Sequence, residues 1–360
     1  MTLRKILLVL AAVAGLLLLY MLMWPVPIAP LAWTPPEPPQ LKGVYEPNTR
    51  LDAVERIGNG VGHKPEAVAI DAAGRIYGGL DDGRIMRLRA DGSQPEIFAQ
   101  TGGRPLGMKF DRAGNLILTD AVKGLLSIGP DGSLRVLSTE AQGVPFRCPN
   151  DLDIADDGTI YFTDASSKFP LSVFRYNFLE HNADGRFLAY NPASKETRVI
   201  LDHLHFANGV ALSPDQSFVL VDETGEYRVL RVWLAGDRKG QSEIFISNLP
   251  GFPDNITSNR KDGFWLALVT PRNHLLDRLM PRPFMRKMVL RLPEALQPAP
   301  ERYGFVLKLD TSGRVVQNLQ DPLGSHYAQI SSALEHDGKL YLGSIGEDAI
   351  GRLPLPAATH

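Results

Sequence analysis

Residues 65–77 read PEAVAIDAAGRIY, and this stretch decides the fold. Bulky apolar residues alternate with small or polar ones from Val68 to Asp71, a turn with Gly74 follows, and a second such run starts at Ile76. A period of two is typical of a strand with distinct faces, and a short Gly-containing link joins antiparallel neighbours. The stretch therefore predicts a β-hairpin.

The same pattern recurs along the chain. It is found again in 105–117 (PLGMKFDRAGNLI), 149–161 (PNDLDIADDGTIY), 207–219 (ANGVALSPDQSFV), 253–265 (PDNITSNRKDGFW) and 330–342 (ISSALEHDGKLYL). Six units of about 40 residues, each with three or four strands, predict an all-β fold, the six-bladed β-propeller. A β-sandwich needs no such internal similarity, and a parallel βαβ fold needs helical patterns that this part of the sequence almost lacks.

Two of the repeats contain insertions, over roughly residues 166–184 and 271–303. The second insertion is basic and apolar, with HLLDRLM at 274–280 and FMRKM at 284–288. Three interpretations stay open for it: a lid over the mouth of the propeller, an amphipathic segment at a membrane surface, and a helix packed on the propeller edge.

Composition excludes several classes of function. The chain of 360 residues has a net charge of −2 and no long basic run, which argues against a nucleic-acid partner. Its single cysteine, Cys148, excludes an internal disulfide and a cysteine-based zinc site, and a small buried residue is the expected role.

The N-terminal segment predicts a membrane anchor. Residues 6–24 carry no charge, and a helix of this length spans about 28 Å, close to the hydrocarbon thickness of a bilayer. Arg4 and Lys5 precede the segment and the first later charge is Glu37, so the positive-inside rule places the N-terminus in the cytoplasm and the rest of the chain outside it. A cleaved signal peptide is the alternative, although its apolar region is normally only about 7–15 residues long.

Three parts of the chain follow from these patterns. Residues 1–24 form a cytoplasmic stub and the membrane anchor, residues 25–40 form a Pro-rich spacer, and residues 41–360 form the propeller. Because proline favours extended backbone, the spacer is expected to be stiff and to lift the propeller off the bilayer.

The six repeats can be aligned on the Pro or Ala that most of them share. One position of this alignment is expected to lie beside the central axis of the propeller in every blade. Equivalent positions of the blades form a ring around the axis of a propeller, and this position, here called the ring position, begins the innermost strand. The ring position is occupied in turn by Glu66, Leu106, Asn150, Asn208, Asp254 and Ser331. The side-chain oxygens of Glu66, Asn150, Asn208 and Asp254, joined by the neighbouring Asn255, are therefore expected to converge.

Converging carboxylate and amide oxygens predict a divalent cation on the axis. Ca²⁺, which takes about 6–8 oxygen ligands, is preferred, with Mg²⁺ or Mn²⁺ as alternatives. The set lacks thiolate and imidazole ligands, which disfavours Zn²⁺. The competing interpretation is that each Asn or Asp is a turn residue bonded to nearby backbone. Four such residues at six equivalent positions are harder to explain in that way, because Asn and Glu are poor strand formers.

Several longer motifs, in order along the chain, resemble one known family. They are PNDL (149–152), IYFTDASSKF (160–169), FANGVALSPD (206–215), PGFPDNI (250–256) and LEHDGKLYLG (334–343). From about residue 41 to 353 the chain is similar to the strictosidine synthase-like and adipocyte plasma membrane-associated protein family, within the calcium-dependent propellers that include gluconolactonases and paraoxonases. The resemblance implies six blades and an axial calcium, with ligands at Glu66, Asn150, Asn208, Asp254 and Asn255.

Two positions depart from the catalytic residues of better-known propellers. The condensing enzymes place a glutamate in the segment that matches residues 324–330, which reads GSHYAQI and has no carboxylate. The paraoxonases place a histidine at the position that matches Leu106, and leucine accepts no proton. A leucine there is expected to make the mouth more apolar and to favour aryl or alkyl esters.

The function predicted is metal-dependent, arylesterase-like hydrolysis of a small-molecule ester or lactone. The cation would stabilise the oxyanion. Asp254 or Glu66 is the candidate base, His326 is the alternative, and His205 is a further candidate proton carrier at the mouth. Two other functions stay open: amine–aldehyde condensation, and a membrane-tethered binding module with a structural metal.

Overall fold

Each repeat, which consists of two alternating runs and the turn between them, forms a pair of antiparallel strands. In the computed structural model, which describes residues 2–356, a strand from Val68 to Ile70 pairs with a strand from Ile76 to Gly79. Further antiparallel strands complete each such pair as a four-stranded sheet, and there are six of these sheets. The six-bladed β-propeller predicted from the repeats is confirmed.

The strands are numbered in chain order, and β1 (Glu55–Ile57) precedes the first blade. The first blade contains β2 (Val68–Ile70), β3 (Ile76–Gly79), β4 (Arg84–Leu88) and β5 (Glu96–Gln100). The second contains β6 (Pro105–Phe110), β7 (Leu116–Asp120), β8 (Gly124–Ile128) and β9 (Leu134–Ser138), followed by a small hairpin of β10 (Glu140–Ala141) and β11 (Val144–Pro145). The third contains β12 (Pro149–Ile154), β13 (Ile160–Asp164), β14 (Gly185–Asn191) and β15 (Glu196–Leu204). The fourth contains β16 (Ala207–Leu212), β17 (Phe218–Glu223), β18 (Arg228–Trp233) and β19 (Ser242–Ile246). The fifth contains β20 (Gly251–Ser258), β21 (Gly263–Pro271), β22 (Gly304–Asp310) and β23 (Val315–Asp321). The sixth contains β24 (Ile330–His336), β25 (Lys339–Ser344) and β26 (Ile350–Pro354).

Helices occupy the N-terminus and the two insertions. They are α1 (Leu3–Met23), α2 (Arg175–Glu180), α3 (His274–Leu279) and α4 (Pro283–Arg291), with single 3₁₀ turns at Gly43–Tyr45, Leu171–Val173, Thr224–Glu226 and Glu294–Leu296. Helix α2 lies between β13 and β14, and α3 and α4 lie between β21 and β22. In an antiparallel blade the link from the second to the third strand lies at the end where the innermost strand begins. Both insertions therefore cover the face on which the ring position lies.

The N-terminal strand β1 closes the ring. It pairs antiparallel with β26, with Glu55 opposite Arg352 and Ile57 opposite Ile350, and becomes the outermost strand of the sixth blade. The sequence did not reveal this strand, because three residues are too few to show an alternating pattern.

The hydrophobic core is divided into clusters that join neighbouring blades. Tyr77 and Ile85 of the first blade, for example, pack against Met108 and Leu118 of the second, and all four are buried. Other clusters join the second to the third blade and so on around to the sixth and first. Each blade therefore depends on both neighbours for burial of its two faces.

A register shift marks the ring position in five blades. The shifts lie between Pro105 and Met108, Pro149 and Leu152, Ala207 and Val210, Pro253 and Ile256, and Ile330 and Ser332. A bulge bends its strand and redirects side chains. Hydroxyl groups of one blade then donate to the backbone carbonyl of a ring residue in the next: Thr119 to Asn150 (2.5 Å), Thr163 to Asn208 (2.5 Å) and Ser331 to Glu66 (2.6 Å). These bonds hold the ring residues at a set distance from their neighbours.

Residues 28–36 of the spacer, here called the strap, are extended but do not stand clear of the propeller. Ile28 is buried, the backbone N–H of Leu31 donates to the carbonyl of Glu180 (3.0 Å), and the ring of Trp33 stacks on His181 with centroids 4.2 Å apart. The expectation that the spacer lifts the propeller off the bilayer is therefore wrong for this stretch. Its apolar side chains pack against the insertions. The sequence pattern did not predict where the insertions lie relative to this stretch.

Helix α1 is long and apolar enough to cross a membrane, judged by length and composition, and it is exposed along its length. Its C-terminal end contacts α4, because the Arg291 guanidinium donates to the carbonyl oxygens of Met21 (2.8 Å) and Trp24 (2.7 Å). The apolar N-terminal helix predicted from the sequence is confirmed as a candidate membrane span. The insertion that covers the propeller face also touches the end of this helix.

Because β1 closes the ring, truncation of one of its buried side chains should destabilise the whole propeller. Ile57 is 5% exposed and packs between the sixth and first blades, so Ile57→Ala should lower the free energy of unfolding by about 2–4 kcal/mol through lost burial and a cavity. Thermal or denaturant unfolding of the full chain in detergent measures this. Ile244→Ala, at a side chain 56% exposed, is the matched control and should change stability by less than about 0.5 kcal/mol. Equal effects of the two substitutions would contradict a stabilising role for the closing strand.

Candidate metal centre

A cavity of about 460 Å³ opens on the face covered by the two insertions. At the axis it is lined by Glu66, Asn150, Asn208 and Asp254. These are the four oxygen-bearing residues that stacking of the repeats brought to one ring. The structure therefore brings all four into one cavity.

The walls of the cavity are largely apolar. Phe178 comes from the first insertion, Leu276 from the second, and Phe206 and Phe252 from the starts of the fourth and fifth blades. Residues 297–301 of the second insertion complete the wall, so this insertion acts as the lid that was one of its three interpretations. An aromatic enclosure around a few polar groups is typical of a small-molecule site.

Three buried amide oxygens have no hydrogen-bond donor among residues 2–356. They are the Oδ1 atoms of Asn150, Asn208 and Asn255, whose side chains are at most 3% exposed. Asn150 and Asn208 line the cavity, whereas Asn255, which follows Asp254, is not part of the lining. The Asn208 amide is oriented by its Nδ2 group, which contacts Thr224 Oγ1 (3.2 Å), so that its Oδ1 is left free. Buried polar atoms are nearly always satisfied, and unsatisfied ones point to a missing water or ion. The donor chemistry fits a hard cation.

The two ring carboxyl groups are held in an environment that opposes their charge. Burial raises the pKa of Glu66, although the Arg104 guanidinium at 2.6 Å opposes the rise. Burial, followed by repulsion from Glu66, raises the pKa of Asp254 well above its usual range. A divalent cation between the two carboxyl groups would reverse this preference, because an opposite charge favours the ionised form.

Two further buried acids lie beside the ring, and the sequence did not single them out. Burial raises the pKa of Asp151 to about 7. Asp222 on β17 is fully buried, neither of its carboxyl oxygens has a hydrogen-bond partner within the described residues, and burial with repulsion from Asp151 and Asp254 raises its pKa well above the usual range. Four acids are therefore concentrated around the axis, and a bound cation would favour their ionised forms.

Other candidate residues from the sequence lie elsewhere. His326 does not line the cavity; its Nδ1 lies 3.3 Å from Asp52 Oδ1, and its side chain is about half exposed. The link between β23 and β24 carries it to the outer rim, so it is not a base for chemistry at the axis. Leu106 is fully buried and is not part of the cavity lining, so the expectation that it makes the mouth apolar is also wrong.

His205 lies behind the cavity wall formed by its neighbour Phe206. Burial and the adjacent His181 lower its pKa to about 4, so the ring is neutral at neutral pH. Cys148 is buried as expected, and burial raises the pKa of its thiol well above the usual range. Neither side chain is placed for proton transfer at the axis.

The aligned repeats also contain a pattern that predicts residues of the cavity wall. The residue just before the shared Pro or Ala of each repeat lines the cavity in five of the six blades, as Lys64, Arg104, Phe206, Phe252 and Gln329. The same stacking that aligned the ring position would have aligned this second layer. Glu301, an exposed residue of the second insertion that also lines the cavity, had no such signal because insertions do not repeat.

Comparisons with known proteins agree with this architecture. The family models described as strictosidine synthase and strictosidine synthase-like, N-terminal, match residues 150–237 and 43–88. The adipocyte plasma membrane-associated protein of Rattus norvegicus is 38% identical over 353 residues, covering 91% of this chain and 93% of that protein. The chain belongs to the strictosidine synthase-like and adipocyte plasma membrane-associated protein family. Another member, strictosidine synthase-like protein 10 of Arabidopsis thaliana, is 39% identical over 336 residues, covering 86% and 89% of the two chains.

Solved structures outside this family share its fold. A gluconolactonase from Xanthomonas campestris superposes with a TM-score of 0.62 at 19% identity, over 92% of this chain and 99% of its own. A calcium-binding regucalcin from Agrobacterium tumefaciens superposes with a TM-score of 0.56 at 13% identity, over 84% and 92%. At these identities the likeness concerns the propeller fold.

A calcium titration tests the ring. Adding Ca²⁺ to the chelator-treated full chain in detergent should raise the melting temperature by roughly 4 °C at about a hundredfold excess over Kd. Asn208→Ala and Asp254→Asn should each abolish most of this rise. Asn115→Ala, which removes an amide from a turn after the innermost strand of the second blade, is the matched control and should retain it. A full calcium response in both ring variants would contradict the ligand set.

Proposed function

We propose that this chain is a membrane-tethered hydrolase of small-molecule esters or lactones that holds a divalent cation, Ca²⁺ in the first place, at Glu66, Asn150, Asn208, Asp254 and Asn255. The observation that carries the proposal is the convergence of unsatisfied amide oxygens and buried carboxyl groups at the end of an aromatic cavity. Mg²⁺ and Mn²⁺ are the alternative ions, since oxygen ligands suit them as well. When bound, such a cation polarises a carbonyl group and lowers the pKa of water.

Arg104 positions Glu66. Its guanidinium donates to Glu66 Oε2 (2.6 Å) and to the backbone carbonyls of Lys64 (3.0 Å) and Gly79 (3.4 Å). The guanidinium is therefore held by the first blade and fixes one carboxylate oxygen of Glu66. This makes Glu66 a fixed ligand rather than a mobile base.

Asp254 is the better candidate for proton transfer. It makes no ion pair with a cationic side chain in the described part of the chain, and it lies in the cavity lining beside Asn208. A carboxylate in this place accepts a proton from an attacking water and returns it to the leaving group. Since a neighbouring cation lowers the pKa of a carboxyl group, Asp254 would be a weak base that works by orientation.

The membrane side of the molecule favours amphiphilic substrates. The second insertion supplies residues 297–301 to the cavity and, through Arg291, contacts the end of α1. The same insertion exposes Leu275, Phe284 and Leu296. An apolar cavity whose lid lies next to a membrane anchor suits aryl or alkyl esters that partition into the bilayer surface.

Amine–aldehyde condensation is the second candidate. The segment 324–330 has no carboxylate, but the acidic residue Glu301 lines the cavity, with its backbone N–H bonded to Thr270 Oγ1 (2.9 Å). An arylethylamine and an aldehyde, supplied to the same preparation, test this directly. Product formation from this pair without ester hydrolysis would assign the site to condensation, and binding without turnover of either substrate would assign it to a binding module.

Ester hydrolysis should depend on both the cation and Asp254. Aryl acetates and lactones should be hydrolysed in the presence of Ca²⁺, and chelation should remove the activity. Asp254→Asn should lower kcat/KM by about 10²–10⁴-fold, the usual contribution of a positioned acid or base. Asp131→Asn, in an exposed turn, serves as the control and should leave kcat/KM unchanged. Activity that persists in the chelated protein or in Asp254→Asn at the wild-type level would rule the mechanism out.

The aromatic wall should set acyl-chain preference. Esters with longer acyl chains should be preferred over acetates, and Phe178→Ala should reduce that preference by about 10–100-fold in the ratio of kcat/KM values. Phe98→Ala, an aromatic truncation on the outer strand of the first blade, is the matched control. If Phe178→Ala lowers kcat/KM equally for short and long esters, the wall does not select the acyl chain.

A further inference from the structure

Three side chains with metal-binding groups meet behind the cavity wall, away from the axis. His181 follows α2 in the first insertion, His205 precedes β16, and Glu226 ends the 3₁₀ turn between β17 and β18. One ligand atom from each of the three lies within 4.8 Å of the other two. Three separate segments therefore bring two imidazoles and one carboxylate to a single point.

The contacts within this cluster lie within ion-pair distance, and both imidazoles face the same carboxylate. His181 Nε2 lies 3.2 Å and His205 Nδ1 lies 3.5 Å from the same oxygen, Glu226 Oε1. Neither ring nitrogen has a hydrogen-bond partner of acceptable geometry within residues 2–356, and His181 is 5% exposed. A buried imidazole nitrogen without a partner is rare, and here two of them face one carboxylate oxygen.

The spacing matches that of ligands around one small cation. Zinc bonds nitrogen and oxygen at about 2.0–2.1 Å with tetrahedral geometry, which places any two ligand atoms about 3.3 Å apart. The two measured separations lie on either side of this value. Two imidazoles and one carboxylate form a common protein ligand set for zinc.

We propose that His181, His205 and Glu226 bind a Zn²⁺-class transition-metal cation that clamps the first insertion to the fourth blade. This site is distinct from the ring on the axis in position and in chemistry. The ring offers only oxygen atoms, whereas this cluster offers two imidazole nitrogens, which favour Zn²⁺ over Ca²⁺.

The surrounding charges are compatible with a bound cation. Arg228 is the nearest cationic group, with Nη1 3.8 Å from Glu226 Oε2. Its Nε atom donates to Glu223 Oε2 at 2.5 Å, so its charge is already compensated by another carboxylate. Glu226 is thus left with negative charge for the metal.

The clamp would stabilise one wall of the cavity. Phe178 lies on α2 and Phe206 follows His205, so the cation would tie together the two segments from which these aromatic side chains project. The strap covers the outer side, where Trp33 stacks on the His181 ring. A cation here would therefore hold the insertion, the fourth blade and the strap in one arrangement.

Metal binding by the full chain in detergent tests the proposal. The protein is purified with a tag that contains no histidine, stripped with chelator, and kept in excess Ca²⁺ so that the axial ring does not take up zinc. Titration with Zn²⁺ should show one tight equivalent, and Co²⁺ in its place should give the intense visible absorption of four-coordinate cobalt. In the wild type, Zn²⁺ should also slow deuterium uptake in residues 171–181.

Substitution of each ligand should remove this equivalent. His181→Ala, His205→Gln and Glu226→Gln should each weaken Zn²⁺ binding by more than about 100-fold, because even loss of a residue behind a ligand costs about 10–100-fold. His203→Ala, two positions from His205 and largely exposed, is the matched control and should bind as the wild type does. His326→Ala controls for the second cluster of possible ligands, formed by His326, Asp52 and Asp321.

A single cooperative thermal transition close to that of the wild type shows that each variant is folded, and Glu226→Gln, which keeps the side-chain shape, covers the case in which a histidine variant fails to fold. Tight Zn²⁺ binding that survives in the folded ligand variants would overturn the proposal. So would a wild-type chain that takes up no Zn²⁺, or one whose zinc is lost in His326→Ala but retained in Glu226→Gln.

Discussion

Closure of the ring by β1 is the constraint on which the other features of this molecule depend. Each hydrophobic cluster is shared by two neighbouring blades, so a blade with a missing neighbour leaves an apolar face exposed to water. The backbone pairs from Glu55 to Ile57 with β26 tie the segment that precedes the first blade to the last blade, and so keep these two blades packed on each other. Only in a closed ring do the six inner strands face a common axis.

Closure also creates an electrostatic problem at the axis. Glu66, Asp151, Asp222 and Asp254 come from different strands of the ring, and burial raises the pKa of every one of them. Arg104 compensates one of the four directly. The unsatisfied amide oxygens beside these acids are suited to the same remedy, a bound cation, which is why the ring is proposed as a metal centre rather than as a set of turn residues.

The two insertions connect the axial cavity to the N-terminal part of the chain. They line the cavity with aromatic and apolar side chains, contact the strap, and touch the end of the candidate membrane helix α1 through Arg291. The proposal of amphiphilic substrates rests on this proximity. The proposed zinc clamp lies where the first insertion, the strap and the fourth blade meet.

The sequence by itself determined the six blades and the ring residues, because these depend on local periodicity and on equivalent positions in a repeated unit. It also determined the candidate membrane helix, because that depends only on the length of one uncharged apolar run. The aligned repeats contain the layer with Arg104 and Phe206 as well. Only the tertiary structure decided the closing strand, the path of the strap, the displacement of His326 to the rim, the position of Glu301 and the cluster of His181, His205 and Glu226. Each depends on contacts between segments far apart in the chain, most of them within insertions that do not repeat, and no local pattern records which of those segments meet.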